Sequence, residues 1–367
     1  MAATTREHAL ERAVARVDLG AVERNCARLL ELLTGTELCA VVKADGYGHG
    51  AVPCAAAALA GGASRLAVAT AAEAVELRDN GVAAPILVMG ALTQEEARRA
   101  VDAGAEVVAW REDFLRRLPR GARVHVKLDT GMGRLGTKDV EEARALARAA
   151  GDSLAGVMTH FATADEPDDD HFPTQLSRFV PFAEEMREAH PGITVHAANS
   201  AATYREPASH FDMVRCGIAV YGLDPFGEDP AARALEPALT LESYVAAVKR
   251  FEPGESAGYG RSWKASERTW VGVLPIGYGD GWRRGLSNDC DVLVGGRRRP
   301  LVGTVSMDNV TVDLGPETDV EPGEPAVLIG AQGEERILCE EVARRLNTIN
   351  YEVTCGLTPR VRRVHLR

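Results

Sequence analysis

No uncharged apolar run in this sequence approaches the roughly 20 residues that a membrane-spanning helix needs, so no such helix is expected. The opening stretch, "MAATTREHALERAVARV", interleaves charges and lacks an apolar centre, and no signal peptide is expected from it. Basic charge is not in excess. The formal net charge is −11, which argues against nucleic acid or an anionic membrane as partner. That balance still leaves room for one small anion in a locally basic pocket. No CxxC pair occurs among the seven cysteines, an odd and scattered set. Reduced thiols in a cytosol fit that pattern better than a disulfide framework or a zinc site. Internal repeats and low-complexity tracts are also missing.

What is present is ordinary globular material. The chain has 367 residues, 46% of them hydrophobic, enough for a large core or for two domains. Its first two-thirds alternates strand-like and helix-like segments. "ELCAVV", "RLAVAT", "PILVMG", "AEVVAW", "RVHVKLDT", "LAGVMTHFA", "ITVHAANS" and "DMVRCGIAVYGL" are the strand-like ones. Between them, "TQEEARRAVDAG" begins with Thr93 and has Glu96 three residues on, the spacing of a capping box. About eight such units predict a parallel sheet closed into a (β/α)8 barrel, with a doubly wound open sheet as the alternative. After about Leu235 the texture changes to short β-type runs broken by Gly, Pro, Asn and Asp, with one late helix in "LCEEVARRLNTI". The expected division is therefore a barrel over 1–235 and a mostly β domain over 236–367.

Candidate chemistry gathers where barrel strands end, because that rim carries the active site in such folds. In "ELCAVVKADGYGHG" an apolar strand runs straight into Lys43, and a buried ammonium needs a partner or must lose its charge. In "VHVKLDT" the alternation puts His125, Lys127 and Asp129 on one face, predicted to be the lumen. Arg134 follows on the glycine-rich "GMGRLG", and His160 lies near the end of the sixth strand. The seventh and eighth strands lead to Asn199, Ser200 and Gly217, at the place where barrels commonly hold phosphate. Ser200 opens a short helix whose backbone N–H groups attract an anion, and Gly217 permits close backbone approach. A ligand that uses both a lysine amine and a phosphate cradle is pyridoxal 5′-phosphate, with the lysine as its Schiff base.

These residues resemble the alanine racemase family. "AVVKADGYGHG" is similar to its cofactor-lysine motif. "KLDTGMGRLG", "HFATAD", "ANSAA" and "VRCGIAVYG" resemble its barrel motifs, and "GYGRSW", "PIGYGDGW", "GTVSMDNVTVD" and "INYEVTC" those of its second domain. The nine segments fall in order along nearly the whole chain. Many relatives carry cysteine where this chain has Ser306. The resemblance implies that Lys43 holds the cofactor and serves as base for the D-isomer. It implies that Tyr47, Ser200, Gly217, Ile218 and Tyr351 contact the phosphate, with Asn199 beside them. Arg215 would face the pyridine nitrogen, and His160 would bridge Arg215 to Tyr259. Arg134 would meet the ring hydroxyl and the substrate carboxylate. Tyr259, as base for the L-isomer, and Met307 would come from the second subunit of a head-to-tail homodimer. An arginine opposite the ring nitrogen should leave that nitrogen unprotonated, which favours racemisation over transamination.

The implied enzyme interconverts L- and D-alanine and supplies D-alanine for peptidoglycan. A broader-spectrum racemase, for serine for example, stays open at this level. A related decarboxylase would need a C-terminal nucleophile motif that is not found. A non-catalytic pyridoxal-phosphate carrier resembles the barrel half alone. Lys127 carries one further expectation: a carbamate would turn a cation into an anion beside Arg134, the alternative being an unmodified lysine paired with Asp129.

Overall fold

The structure is a computed structural model that describes residues 11–367. The expected absence of a leader concerns in part residues 1–10, which lie outside the described ones.

The chain forms two compact units. Leu19–Glu236 make one, and Pro237–Arg367 together with the described residues up to Asp18 make the other. The first strand, β1 (Val14–Asp18), thus belongs with the C-terminal unit, whereas the sequence reading assigned everything before 236 to the barrel. The reason is pairing. β1 lies antiparallel to β10 (Leu239–Tyr244) and parallel to the last strand, Arg362–Leu366.

Within Leu19–Glu236, eight parallel strands close into a barrel. They are β2 (Glu37–Val41), β3 (Arg65–Val68), β4 (Ile86–Val88), β5 (Glu106–Ala109), β6 (Val124–Lys127), β7 (Leu154–Met158), β8 (Thr194–His196) and β9 (Met213–Cys216). β9 pairs with β2 to complete the circle. Nearly every strand residue is buried, as expected when helices cover a parallel sheet and side chains fill its lumen. Closure, rather than an open doubly wound sheet, is the observed outcome.

Local chemistry explains the helix boundaries. Thr93 accepts from the Glu96 N–H at 3.2 Å, and the Glu96 carboxylate accepts from the Thr93 N–H at 2.8 Å. This reciprocal cap satisfies two amides that helix Gln94–Asp102 would leave unpaired, and losing it by Thr93→Ala would cost about 1 kcal/mol. Thr70 and Glu73 form the same box one unit earlier. The amphipathic helix Leu19–Glu31 was not read from the sequence. The buried Asn25 in it donates to Val220 O and Glu236 O, tying the helix to the end of the barrel segment.

The second unit has a main sheet with β10 in its middle and β1 next to the edge strand Arg362–Leu366, and a three-stranded sheet of Ala247–Phe251, Thr269–Leu274 and Val310–Gly315. A short ladder joins Ser256–Ala257 to Trp263–Lys264. The single late helix expected here is two helices, Cys339–Arg345 and Asn350–Cys355, and the second takes in most of "INYEVTC". Among the described residues no helix is long and apolar enough to cross a membrane.

Candidate active site

The segment after β2 departs sharply from ordinary backbone. Ala44, Asp45, Gly46, Tyr47 and Gly48 all have positive φ, between 52° and 82°. Left-handed conformation costs a non-glycine residue about 1–2 kcal/mol, so three such residues in a row of five must be held from outside. The Gly46 N–H donates to Val42 O at 3.0 Å, and the Gly50 N–H to Asp45 O at 2.8 Å. The Asp45 carboxylate accepts from the Ala51 N–H at 2.9 Å, and Glu73 accepts from the Ala44 N–H at 2.7 Å. His49, fully buried, donates through Nδ1 to the Gly46 and Tyr47 carbonyls, both at 3.0 Å. Its ring stacks on Tyr221 at 4.5 Å, and the Tyr221 hydroxyl donates to Val41 O at 3.1 Å.

The turn brings Lys43 and Tyr47 to the far end of β9. Lys43 Nζ lies 6.0 Å from the centre of the Tyr47 ring. A Cβ added to Gly217 would stand 2.2 Å from the Tyr47 hydroxyl, so no larger residue fits there. The Gly217 N–H donates to Ser200 Oγ at 3.0 Å, and the Ala219 N–H reaches the same oxygen at 3.5 Å. Ile218, fully buried, opens the single turn Ile218–Tyr221 directly after Gly217. Asn199, placed by the sequence beside the phosphate contacts, uses its Oδ1 to cap helix Ser200–Arg205 by accepting from the Ala202 N–H at 3.0 Å. Lys43, Tyr47, Ser200 and Gly217, distant in sequence, therefore meet at one end of the barrel.

Arg215 is buried on β9. Its Nη1 donates to His196 Nδ1 at 2.8 Å, and its Nη2 is shared among Thr159 O at 2.9 Å, Ala197 O at 2.9 Å and His160 Nδ1 at 3.2 Å. No carboxylate pairs with it among the described residues. Burial lowers its pKa to about 10. His160 is pushed well below the usual histidine range by burial and by the charges of Arg215, Lys127, Arg134 and Lys43. Because a guanidinium can only donate, His160 Nδ1 accepts, and the proton of the neutral ring sits on Nε2.

Lys127 is buried, and burial with Arg215 and Arg134 pulls its pKa down to about 8. The ion pair with Asp129, given as the alternative to a carbamate, is not formed among the described residues. The Asp129 carboxylate instead accepts from the Gly131 N–H at 3.0 Å and the Gly133 N–H at 3.0 and 3.1 Å, organising the loop that carries the exposed Arg134. Lys43, Arg134 and Arg215 lie near enough to Lys127 for their charges to act on it, a positive cluster in an acidic chain that favours an anionic ligand.

The remaining predicted residues lie in the second unit. Tyr259 begins the turn between the two short strands Ser256–Ala257 and Trp263–Lys264, and its side chain is largely in solvent, 73% exposed. Thr304 Oγ1 donates to Tyr259 O at 2.8 Å, which brings the loop leading to Met307, itself 51% exposed, beside that turn. Tyr351 is half-buried on helix Asn350–Cys355.

The family models for the alanine racemase N-terminal and C-terminal domains match residues 17–225 and 238–365. The chain belongs to the alanine racemase family. An alanine racemase of Symbiobacterium thermophilum is 44% identical over 363 residues, covering 96% of each chain. One from Geobacillus stearothermophilus is 44% identical over 370 residues, 96% of this chain and 93% of the relative. Among solved structures, the alanine racemase of E. faecalis superposes with a TM-score of 0.91 at 37% identity over 97% of this chain and 98% of that one. That of Streptomyces lavendulae gives 0.92 at 36% identity, covering 98% of both. Within this alanine racemase fold, the sequence reading had overlooked Glu106, Thr159, His196 and Tyr221. A polar residue interrupting a buried apolar strand, as in "AEVVA" and "TVH", was the available clue.

Proposed function

We propose that this enzyme interconverts L- and D-alanine with pyridoxal 5′-phosphate, using Lys43 and Tyr259 of the partner subunit as bases on opposite faces of the substrate. The observation that carries this reading is the meeting of Lys43 with the Tyr47–Gly217–Ser200 cluster. Lys43 Nζ lies 6.0 Å from the centre of the Tyr47 ring, the Tyr47 hydroxyl lies so close to Gly217 that a Cβ there would stand 2.2 Å from it, and the Gly217 N–H meets the Ser200 hydroxyl at 3.0 Å. These residues fit the cofactor: Lys43 would link to its aldehyde, and Tyr47, Ser200, Gly217 and Ile218 would hold its phosphate, with Asn199 shaping the helix start; the phosphate contact of Tyr351 is the one the family resemblance implies.

When bound, the cofactor draws electron density from the substrate and so acidifies its Cα–H. The protein handles the proton. Lys43 Nζ removes it from D-alanine, and Tyr259 of the partner subunit returns one to the opposite face; the roles reverse for L-alanine. Arg215, paired with no carboxylate among the described residues, would offer donors to the ring nitrogen without giving it a full proton. His160 accepts from Arg215 and has its own Nε2–H to offer the tyrosine oxygen, which favours the phenolate. Arg134 would bind the substrate carboxylate, with Met307 of the partner subunit closing the pocket. The 73% exposure of Tyr259 and 51% exposure of Met307 in a single chain support a homodimer with shared sites. Lys127, buried with no ion pair among the described residues and with its pKa lowered to about 8, suits carbamate formation: the neutral amine adds to the carbon of CO2 and releases a proton. A cytoplasmic enzyme supplying D-alanine for peptidoglycan completes the proposal.

The test is a visible spectrum followed by borohydride treatment, peptide mapping and a racemisation assay. The expected result is a band near the visible edge that borohydride abolishes, a reduced adduct on Lys43, and loss of nearly all turnover in Lys43→Ala. A labelled peptide without Lys43 would overturn the assignment.

A further inference from the structure

A single row of hydrogen bonds runs from Arg215 toward the opposite end of the barrel. Beyond the 2.8 Å bond from Arg215 Nη1 to His196 Nδ1, His196 Nε2 lies 2.8 Å from His125 Nδ1. His125 Nε2 lies 2.8 Å from Glu106 Oε2. Both imidazoles are fully buried. Glu106 is the first residue of β5, at the N-terminal end of the strands, away from the rim that carries Lys43. Its carboxylate also accepts from Arg65 Nη1 at 2.9 Å and Arg123 Nε at 3.0 Å.

The direction of the row follows from valence alone. A guanidinium only donates, so His196 Nδ1 must accept. A neutral His196 then carries its proton on Nε2 and donates to His125 Nδ1. His125 in turn carries its proton on Nε2 and donates to the carboxylate, which only accepts. A cationic ring at either position would set two donors face to face somewhere along the row. Burial pushes both histidines below their ordinary range, in keeping with neutral rings. Burial alone would raise Glu106, but hydrogen bonds from His125 and Arg123 overcome it and hold the carboxyl at about 2. The fold makes room for the row: a Cβ on Gly156 would come within 2.4 Å of His125 Nδ1.

We propose that Glu106, His125 and His196 are positioning residues, a row that starts at the Glu106 carboxylate and fixes the orientation of the Arg215 guanidinium. With Nη1 committed to His196 and Nη2 to Thr159, Ala197 and His160, the plane of Arg215 is set. Its Nε–H and the second Nη1 hydrogen have no acceptor among the described residues and remain available to a ligand. Reversing the His196 tautomer would aim Nδ1–H at Nη1 and turn the guanidinium away. The effect on turnover rests on Arg215 meeting the cofactor ring; the direction of the row is a property of the protein alone.

The experiment is solid-state ¹⁵N NMR of the histidine-labelled, cofactor-loaded enzyme, with His125 and His196 assigned through His125→Gln and His196→Gln. The expected pattern is a proton on Nε2 and none on Nδ1 at both positions, unchanged between about pH 6 and 9, although a free histidine titrates near 6.5. Glu106→Ala removes the final acceptor. It should leave the His125 Nε2–H without its acceptor, read as a shifted Nε2 resonance with the proton still on Nε2, and lower kcat by roughly 10-fold with KM for alanine little changed, in line with supporting partners of reactive groups. Glu106→Gln keeps a carbonyl oxygen for His125 and should restore both. A cationic or Nδ1-protonated ring in the unaltered enzyme would overturn the proposal, and that result needs no variant to fold. Expected tautomers with an unchanged kcat in Glu106→Ala would refute the positioning role while leaving racemisation untouched.

Discussion

Arg215, in the barrel, and Arg298, in the second unit, carry the same cation into opposite surroundings. Arg298 reaches Glu341 with two bonds of 2.7 and 2.9 Å, Glu335 at 3.2 Å and Asp291 at 3.4 Å. The Glu341 carboxylate above all, against a smaller effect of burial, raises its pKa. Arg215 is more deeply buried yet meets only carbonyls and neutral imidazoles, and burial lowers its pKa. A buried cation without a counter-charge is costly, whereas one ringed by carboxylates is a structural tie. The difference supports the proposed role of Arg215 toward a ligand and places Arg298 among the ties of the fold.

Giving the barrel a carboxylate would break that contrast most severely. Arg215→Glu should lower alanine racemisation by roughly 10²–10³-fold, the range for losing a preorganised donor. It should also raise the slow conversion of alanine to pyruvate, because a carboxylate opposite the ring nitrogen would keep it protonated. Chiral chromatography and a coupled pyruvate assay would read the two rates, and an unchanged ratio between them would argue against the role given to Arg215.

Lys127 sharpens the comparison as a second lumen cation without an ion pair. Its pKa lies near 8, so its neutral fraction grows as pH rises through that value. Carbamate content should therefore increase with pH and with dissolved CO2, seen as a mass gain of one CO2 after gentle handling. An unmodified mass at high pH and saturating CO2 would leave Lys127 a plain lysine. The smallest effect belongs to Arg298→Met, which should cost about 1 kcal/mol by chemical denaturation, less at high salt. The Arg298 hydrogen bond holds Glu341 below 4.5, so the stabilisation is present above that pH and fades as pH falls below it. The deficit of the variant should narrow in the same range, with racemisation unaffected.

The barrel was legible because parallel strands buried on both faces read as short apolar runs, and because Lys43, Tyr47, Arg134 and Ser200 lie in segments whose local chemistry is itself unusual. β1 was not legible, since only its pairing with the distant Leu239–Tyr244 and Arg362–Leu366 assigns it to the second unit. Which partner Asp129 takes was not legible either: alternation put it on one face with Lys127 and left their pairing open as the alternative to a carbamate, whereas the carboxylate is taken by the Gly131 and Gly133 amides after the strand has ended. Glu106 and His196 were invisible for a related reason. Each looks like a stray polar residue until the closed barrel brings four strands around one line of hydrogen bonds.

Two bases acting on opposite faces are tested most directly by deuterium exchange in Tyr259→Ala. Lys43 and the phosphate cradle are untouched by that change, so the variant should still bind cofactor. It should still exchange the α-proton of D-alanine with deuterated solvent, while exchange of L-alanine and net racemisation fall by roughly 10²–10⁴-fold, the usual worth of a general base. Equal losses from both isomers would contradict the two-base assignment and leave Lys43 acting alone on both faces.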